Sequence, residues 1–266
     1  MPILTQVADA IATITLDRPE KLNALDPDHL HQLRAAIRSA DSDPAVRVLV
    51  LTSSGERAFS AGADIGGTKV TEGVAEAYAY GLEQAAQAGL YIRLLDLSDL
   101  RRRKPMIAAV KGFCLGGGLE IALQADLVVA AENAQFGLPE VATGSLPGAG
   151  GVNALLRALP RHLAVHLLFT AERLSAQQAL SHGLVSAVHD LASFDQQVQA
   201  LALRIAGQGP LAVQMVKMLI DQSDGLAPGQ WMQMAELAWG HLRDTEDRVE
   251  GRQAFAERRP PVFNGR

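Results

Sequence analysis

The stretch Lys104-Pro-Met-Ile-Ala-Ala-Val-Lys-Gly-Phe-Cys-Leu-Gly-Gly-Gly-Leu-Glu120 decides the fold of this chain. Residues 106–110 form a short apolar run, which is typical of a buried strand. The glycines that follow let the backbone approach a ligand closely or take positive φ. A helix is predicted over residues 117–124, and residues 126–131 are predicted as the next strand. This alternation of strand, loop, helix and strand indicates the α/β class.

The same alternation extends toward the N-terminus. Segments with the composition of strands lie at residues 3–8, 10–16 and 46–52. Asp26 and Pro27 suit the N-cap and first turn of a helix that runs to about residue 40. Residues 53–67 are predicted as a loop, and residues 72–98 carry apolar residues at helical spacing.

Beyond Pro147 the pattern becomes almost entirely helical. Helices are predicted at residues 149–158, 161–170 and 175–181, with a short strand near 184–188 and helix over most of 193–257. The sequence Gly207-Gln-Gly-Pro210 is the best candidate for a hinge. We therefore divide the chain into a core, residues 1–192, and a C-terminal helical region, residues 193–266. Because that region is too thin to form its own core, we expect it to pack on the first part or on a neighbouring subunit.

Composition excludes several classes of protein. The chain has 266 residues, of which 48% are apolar and 20% charged, as in an ordinary globular protein. Its net charge of −5 lacks the basic excess of a nucleic-acid binder. The single cysteine, Cys114, cannot form an internal disulfide, which permits a reducing compartment. We expect no signal peptide and no membrane span, because neither an N-terminal basic and apolar pattern nor a long apolar run is present.

Several weaker motifs have simpler explanations. Residues 62–69 resemble a phosphate-binding loop, but Thr68 precedes Lys69 instead of following it. A dinucleotide-binding loop at residues 116–121 would need a glycine where Ile121 stands. The pair His162 and His166 lacks a nearby third metal ligand, so we expect both to be exposed. The basic run 101–104 suits a solvated helix end, with phosphate contact as an alternative, and Cys114 suits a small buried residue.

Three glycine-containing segments carry the most specific signal. They are Ala58-Phe-Ser-Ala-Gly-Ala-Asp-Ile65, Gly112-Phe-Cys-Leu-Gly-Gly-Gly-Leu-Glu120 and Phe136-Gly-Leu-Pro-Glu-Val-Ala-Thr-Gly-Ser-Leu-Pro-Gly-Ala-Gly-Gly151. Jointly they resemble the enoyl-CoA hydratase/isomerase family, also called the crotonase superfamily. The flanking segments 18–25, 104–112 and 250–263 are similar to the same family, so nearly the whole chain shares the resemblance.

The backbone around two of these segments suits the binding of a developing negative charge. A helix start carries free N–H groups and partial positive charge, and Gly117 presents its N–H without a side chain. A second N–H from the loop at residues 61–63 can face the same point. Two such donors form an oxyanion hole for a thioester carbonyl. In the family the donors match Ala63 and Gly117.

Two glutamates stand near this predicted oxyanion hole. Glu120 follows Gly117 by about one helical turn, and Glu140 lies 20 residues further along, after Pro139. Taken singly, each is by default an exposed acid. The resemblance implies that Glu120 orients or activates water, that Glu140 supplies the α-proton, and that the N–H of Gly148 holds the water. Two close carboxylates share protons, so this division need not be strict.

The resemblance also implies a binding surface for CoA. In the family, backbone groups lie near the adenine and pantetheine of CoA. The matching residues here are Leu22, Ala24, Ala61, Asp64 and Ile65, with Gly66 beside them. Other family positions contact the phosphates and the acyl end of the substrate. The matching residues are Arg57 and, from a neighbouring subunit, Phe255 and Arg258. Arg258 replaces the family's usual lysine, Gly66 replaces a polar residue, and Val152-Asn153 replaces the Thr-Gln of many fatty-acid hydratases. These departures leave the acyl specificity open.

The resemblance implies a crotonase-like spiral of ββα units with a helical C-terminal trimerisation region, assembled as a trimer or a dimer of trimers. It implies a cytoplasmic hydro-lyase that adds water reversibly, in syn geometry, across the 2,3-double bond of an enoyl-CoA. No metal or redox cofactor is expected, since CoA is part of the substrate. Alternatives are double-bond isomerisation, carnitinyl-CoA dehydration, thioester hydrolysis, C–C cleavage, or a catalytically idle CoA-binding subunit.

Overall fold

The computed structural model describes residues 3–64, 80–223 and 225–266. These residues fold into two sheets and a set of helices. The strands are β1 (Ile3–Ala8), β2 (Ile11–Leu16), β3 (Val48–Ser53), β4 (Ala58–Ser60), β5 (Met106–Val110), β6 (Phe113–Leu115), β7 (Leu127–Ala131), β8 (Gln135–Gly137), β9 (Leu174–Ser175) and β10 (Ala187–His189). The helices are α1 (Pro27–Ser42), α2 (Leu82–Ala85), α3 (Gly117–Ala122), α4 (Gly151–Ala158), α5 (Arg161–Thr170), α6 (Ala176–Ser181), α7 (Phe194–Ala206), α8 (Pro210–Gln222), α9 (Pro228–Leu242) and α10 (Glu246–Glu257).

Successive turns of the chain contribute one strand to each sheet. The first sheet has the order β1-β2-β3-β5-β7-β10, and the second has the order β4-β6-β8-β9. The pairs β3 and β4, β5 and β6, and β7 and β8 therefore form consecutive turns of a spiral, with parallel neighbours within each sheet. The prediction of an α/β spiral of ββα units is confirmed.

The connection between β5 and β6 depends on a glycine. Gly112 has a φ of +62°, and a Cβ at this position would lie 2.2 Å from the carbonyl carbon and oxygen of Arg57. Any other residue would strain the backbone and collide with the backbone of Arg57, which directly precedes β4. Gly112 therefore lets the chain pass within two residues from the first sheet to the second.

The core has two faces, one on each side of the first sheet. One face packs against α1, whose N-cap Asp26 accepts a hydrogen bond from the N–H of His29 at 3.0 Å. The other face is covered by α7, through Phe194, Val198 and Ala202. Thus α7 packs directly on the first sheet. The division of the chain after residue 192 stays a prediction.

The last three helices are much less buried than α7. Large apolar side chains on them that stand exposed include Val216, Ile220, Met232, Leu237, Trp239, Val249 and Phe255. The segment predicted as a hinge connects two helices, since Gly207 follows α7 and Gly209 precedes α8, and its role as a hinge stays a prediction. Among the described residues, no helix has the length and hydropathy needed to cross a membrane.

Several predicted boundaries were wrong. The segment predicted as a loop at residues 53–67 contains β4, and β6 and β8 were also missed, because strands of three residues are too short to show alternation. The helix predicted at 72–98 is, from residue 80 onward, a series of short helical pieces broken at Gly89, whose φ is +98°. Residues 65–79 lie outside the described part. The helix predicted to reach residue 124 ends at Ala122, and the predicted strand near 184–188 is β10.

Candidate active site

The first helix residue of α3 lies beside the loop that follows β4. A Cβ built on Gly117 would stand 3.5 Å from the backbone nitrogen of Ala63, and one built on Gly62 would stand 2.9 Å from that of Gly117. Within the described residues, neither the N–H of Ala63 nor that of Gly117 donates a hydrogen bond. The structure thus brings together the two amides that the sequence proposed as a pair of donors.

Backbone pairing holds the loop at residues 61–64 in place. The N–H of Leu25 donates to the carbonyl of Gly62 at 2.8 Å, and the N–H of Asp64 donates to the carbonyl of Leu25 at 2.9 Å. The buried hydroxyl of Ser60 donates to the carbonyl of Asn23 at 2.8 Å and accepts from the N–H of Gly62 at 3.0 Å. These bonds satisfy the neighbours of Ala63 and leave its own N–H available.

Glu120 is buried on α3, one turn after Gly117. Glu120 is only 1% exposed. Its Oε1 accepts hydrogen bonds from the N–H groups of Ala149 at 2.8 Å and Gly151 at 2.9 Å. Its Oε2 is buried and accepts no hydrogen bond from any described residue. Burial raises the pKa of this carboxyl, and the two backbone donors partly oppose the rise. One oxygen is therefore fixed and the other is available for chemistry.

Glu140 approaches the same glycine loop from the other side. It begins a 3₁₀ turn, Glu140–Thr143, after Pro139. Its Oε1 would stand 3.0 Å from a Cβ built on Gly116, and its Oε2 is buried without a hydrogen-bond partner in the described chain. Burial, together with the charge of Glu120, raises its pKa to about 7. The two glutamates therefore interact electrostatically beside the unpaired amide of Gly117.

Gly148 lies in the loop that also carries the donors to Glu120. A Cβ at Gly148 would contact Ile92 at 3.3 Å, and the residue lines the same cavity as Glu120. Its contact with water stays a prediction. Sequence reasoning missed Ala149 and Gly151 as the donors to Glu120. The glycine run at residues 148–151 was the only signal that could have indicated them.

Four of the predicted CoA-binding residues lie together. Ala61 donates its N–H to the carbonyl of Leu22 at 2.9 Å. The guanidinium of Arg18 bonds the carbonyl of Ala24 at 3.2 Å and the carboxylate of Asp64 at 3.0 Å. The sequence did not indicate Arg18, which connects the segment at residues 22–24 to the loop at residues 61–64.

Three further residues predicted to contact the substrate are exposed. Arg57 is exposed just before β4, and Phe255 and Arg258 are exposed at the end of α10. Ile65 and Gly66 lie outside the described residues. The contribution of Phe255 and Arg258 from a neighbouring subunit stays a prediction.

Among the weaker motifs, the basic run 101–104 was wrongly expected to be a solvated helix end, because Lys104 is buried and its Nζ donates to the carbonyl of Ala40 at 3.0 Å and to that of Asp43. His162 is exposed, and His166 bonds the carboxylate of Glu172 at 3.1 Å. Cys114 is fully buried, which raises the pKa of its thiol. The described part of the chain contains no group of three or more metal-ligating side chains. The phosphate-loop motif falls mostly outside the described residues.

Comparison with known proteins agrees with this geometry. The sequence profile of the family described as enoyl-CoA hydratase/isomerase matches residues 6–266. The chain is 40% identical to an (E)-benzylidenesuccinyl-CoA hydratase of Thauera aromatica over the full length of both proteins. It is 38% identical to a 2,3-dehydroadipyl-CoA hydratase of Escherichia coli, over 96% of each chain. A crystal structure of an enoyl-CoA hydratase subunit from Geobacillus kaustophilus superimposes with a TM-score of 0.89 at 36% identity, covering 100% of this chain and 99% of that one. The chain belongs to the enoyl-CoA hydratase/isomerase family.

Proposed function

We propose that this protein is an enoyl-CoA hydratase. It adds water reversibly across the 2,3-double bond of a trans-2-enoyl-CoA. The oxygen of water forms a bond to C3, one proton is delivered to C2, and the π bond between them is lost. Full-length similarity to proteins named as hydratases supports this activity.

The observation that carries the proposal is the combination of two amides and two carboxylate oxygens around one loop, none of which has a hydrogen-bond partner among the described residues. The N–H groups of Ala63 and Gly117 donate to the thioester carbonyl and stabilise the negative charge that develops on its oxygen. Polarising this carbonyl withdraws electrons from the conjugated double bond. C3 thereby becomes open to attack by water.

The two glutamates divide the proton transfers. Oε1 of Glu120 is held by Ala149 and Gly151, so Oε2 orients and deprotonates the attacking water. Burial raises the pKa of Glu140 to about 7, so this carboxyl keeps its proton to a higher pH than an exposed glutamate and delivers it to C2. Because the carboxyls are coupled, the pair titrates together. Gly148 holds the water through its N–H.

The CoA moiety lies along the surface formed by Leu22, Ala24, Ala61 and Asp64, continued by Ile65 and Gly66, with Arg57 toward its phosphates. The exposed apolar side chains of α8 to α10 support assembly into a trimer or a dimer of trimers. In that assembly Phe255 and Arg258 reach the site of a neighbouring subunit. The reaction requires no metal or redox cofactor, and the composition suits the cytoplasm.

A product-identified assay tests the proposal. Purified protein is mixed with crotonyl-CoA, and the absorbance of the conjugated thioester is followed while mass spectrometry identifies the product. We expect the absorbance to fall and the product to gain the mass of one water. A product of unchanged mass would indicate isomerisation, and free CoA would indicate hydrolysis. No turnover of crotonyl-CoA or of longer and branched enoyl-CoAs would overturn the proposal.

A further inference from the structure

A cavity of about 1550 Å³ opens beside Glu120, and its lining includes none of the described residues of the predicted CoA surface. Its walls are formed by α8, by the segment at residues 93–103 and by the segment at residues 148–158. Gly148 and Ala149 line it together with Glu120, so the cavity begins at the carboxylate that activates water in the proposed reaction. In the proposed reaction, this space is available to the part of the acyl chain beyond C3.

Several charged groups that line the cavity are already paired. Lys217 of α8 is bonded to Asp126 at 2.6 Å and to Asp221 at 3.0 Å. Arg102 bonds the other oxygen of Asp126 at 3.2 Å. The remaining acids of the cavity walls are also engaged, since Asp99 pairs with Arg34 and Asp96 accepts the N–H of Ser98. These ion pairs neutralise part of the charge on the cavity walls.

Arg93 is the exception among the half-buried and buried cations of this cavity. It is half-buried, and its guanidinium donates to the carbonyl of Tyr80 at 3.1 Å. It pairs with no carboxylate of the described chain, and its neighbour Ile92 packs against Gly148. A guanidinium retains donors in a fixed fork that fits a carboxylate. Arg93 thus holds an unneutralised charge on the wall next to the loop that orients Glu120.

We propose that the acyl group of the natural substrate carries a second, distal carboxylate, and that Arg93 binds it. The substrate is then the monothioester of an unsaturated dicarboxylic acid. Glu120 and Glu140 act at one end of the acyl chain, and Arg93 neutralises the free carboxylate at the other. The proposal rests on the hydratase activity proposed above and adds the substrate class.

Two matched substrates test this inference. trans-2-Hexenoyl-CoA and 2,3-dehydroadipyl-CoA share a six-carbon acyl chain and the same conjugated thioester, and they differ in a terminal methyl against a terminal carboxylate. We expect kcat/KM to be at least about 10-fold higher for the dicarboxylic substrate, as a charge-assisted hydrogen bond provides. The variant Arg93→Gln should bring the ratio of the two values close to one. Arg38→Gln, which removes an exposed arginine of α1 outside the cavity, should keep the wild-type ratio.

The outcomes separate the two proposals. Failure to hydrate either substrate, or crotonyl-CoA, would overturn the hydratase itself. Hydration of both at equal efficiency, or preference for hexenoyl-CoA, would leave the hydratase intact and overturn the dicarboxylic class. If Arg93→Gln raised KM equally for both substrates, Arg93 would bind the CoA part that they share, which would also overturn the inference.

Discussion

Helix α3 with Glu120 and the 3₁₀ turn with Glu140 present the same functional group in two different ways. Every residue of α3 is buried, whereas Val141, Ala142 and Thr143 of the turn are exposed. Burial raises the pKa of both glutamates, but Glu120 receives two N–H groups from a distant loop, and Glu140 receives only a bond from its own backbone. The two carboxyls therefore differ in their surroundings, because backbone donors oppose the rise in the pKa of Glu120, whereas the charge of Glu120 adds to the rise in the pKa of Glu140.

Removing either carboxylate tests whether both are needed and has the largest expected effect. We expect Glu120→Gln and Glu140→Gln each to lower kcat by roughly 10²–10⁴-fold, because each variant loses one positioned proton donor or acceptor. Stopped-flow absorbance with crotonyl-CoA measures the rates. Circular dichroism confirms that the fold is retained. A variant that kept the wild-type rate would remove its residue from the chemistry.

A change in the loop that donates to Glu120 tests whether the position of this carboxylate determines the rate. In Gly151→Ala the new Cβ would stand 2.8 Å from Cγ and Oε1 of Glu120, so this side chain must shift. A shift of about 1 Å lowers kcat by up to about 10²-fold. The control Gly240→Ala places a methyl on α9 with no described atom within 4 Å and should keep the wild-type kcat. Equal activity of both variants would contradict the account of Glu120.

The pH dependence of stability tests the environment of Glu140 and has the smallest expected effect. Folding raises the pKa of Glu140 from 4.5 to about 7, so its protonated form stabilises the fold fully below pH 4.5, and this contribution is lost as the pH rises to about 7. Relative to Glu140→Gln, the wild-type free energy of unfolding should fall by about 1–2 kcal/mol across that range, allowing for solvent screening. Urea unfolding at pH 4.5 and 8 measures it. Parallel pH profiles for the two proteins would place the glutamate in solvent.

The site features that could be predicted from sequence were those fixed by short-range geometry. Gly117 and Glu120 are separated by one helical turn, so a predicted helix suffices to place them together. The pairing of β1 with β2 followed from alternation, with Asp9 and Ala10 at positive φ in the turn between them. Glu140 and Ala63 could be joined to this site only through the resemblance to a family.

Long-range contacts could not be predicted, because no local pattern encodes them. Ala149 and Gly151 bond a carboxylate 29 and 31 residues away, and either of them or Gly148 could have done so on sequence grounds. In the sequence, nothing distinguishes Arg93 from the other polar residues of its helical segment. Its lack of a carboxylate partner became visible only when the surrounding charges of the cavity were paired in three dimensions.

The carbonyl stretch of a bound thioester gives the most direct test that the amides of Ala63 and Gly117 polarise the substrate. Butyryl-CoA labelled with carbon-13 at the thioester carbon has no double bond and remains intact during the measurement. Difference infrared spectroscopy should show its carbonyl band at a lower frequency in the complex than in buffer, because two oriented donors weaken the C=O bond. A band that stays at the frequency of the free thioester, under saturating binding, would contradict the account.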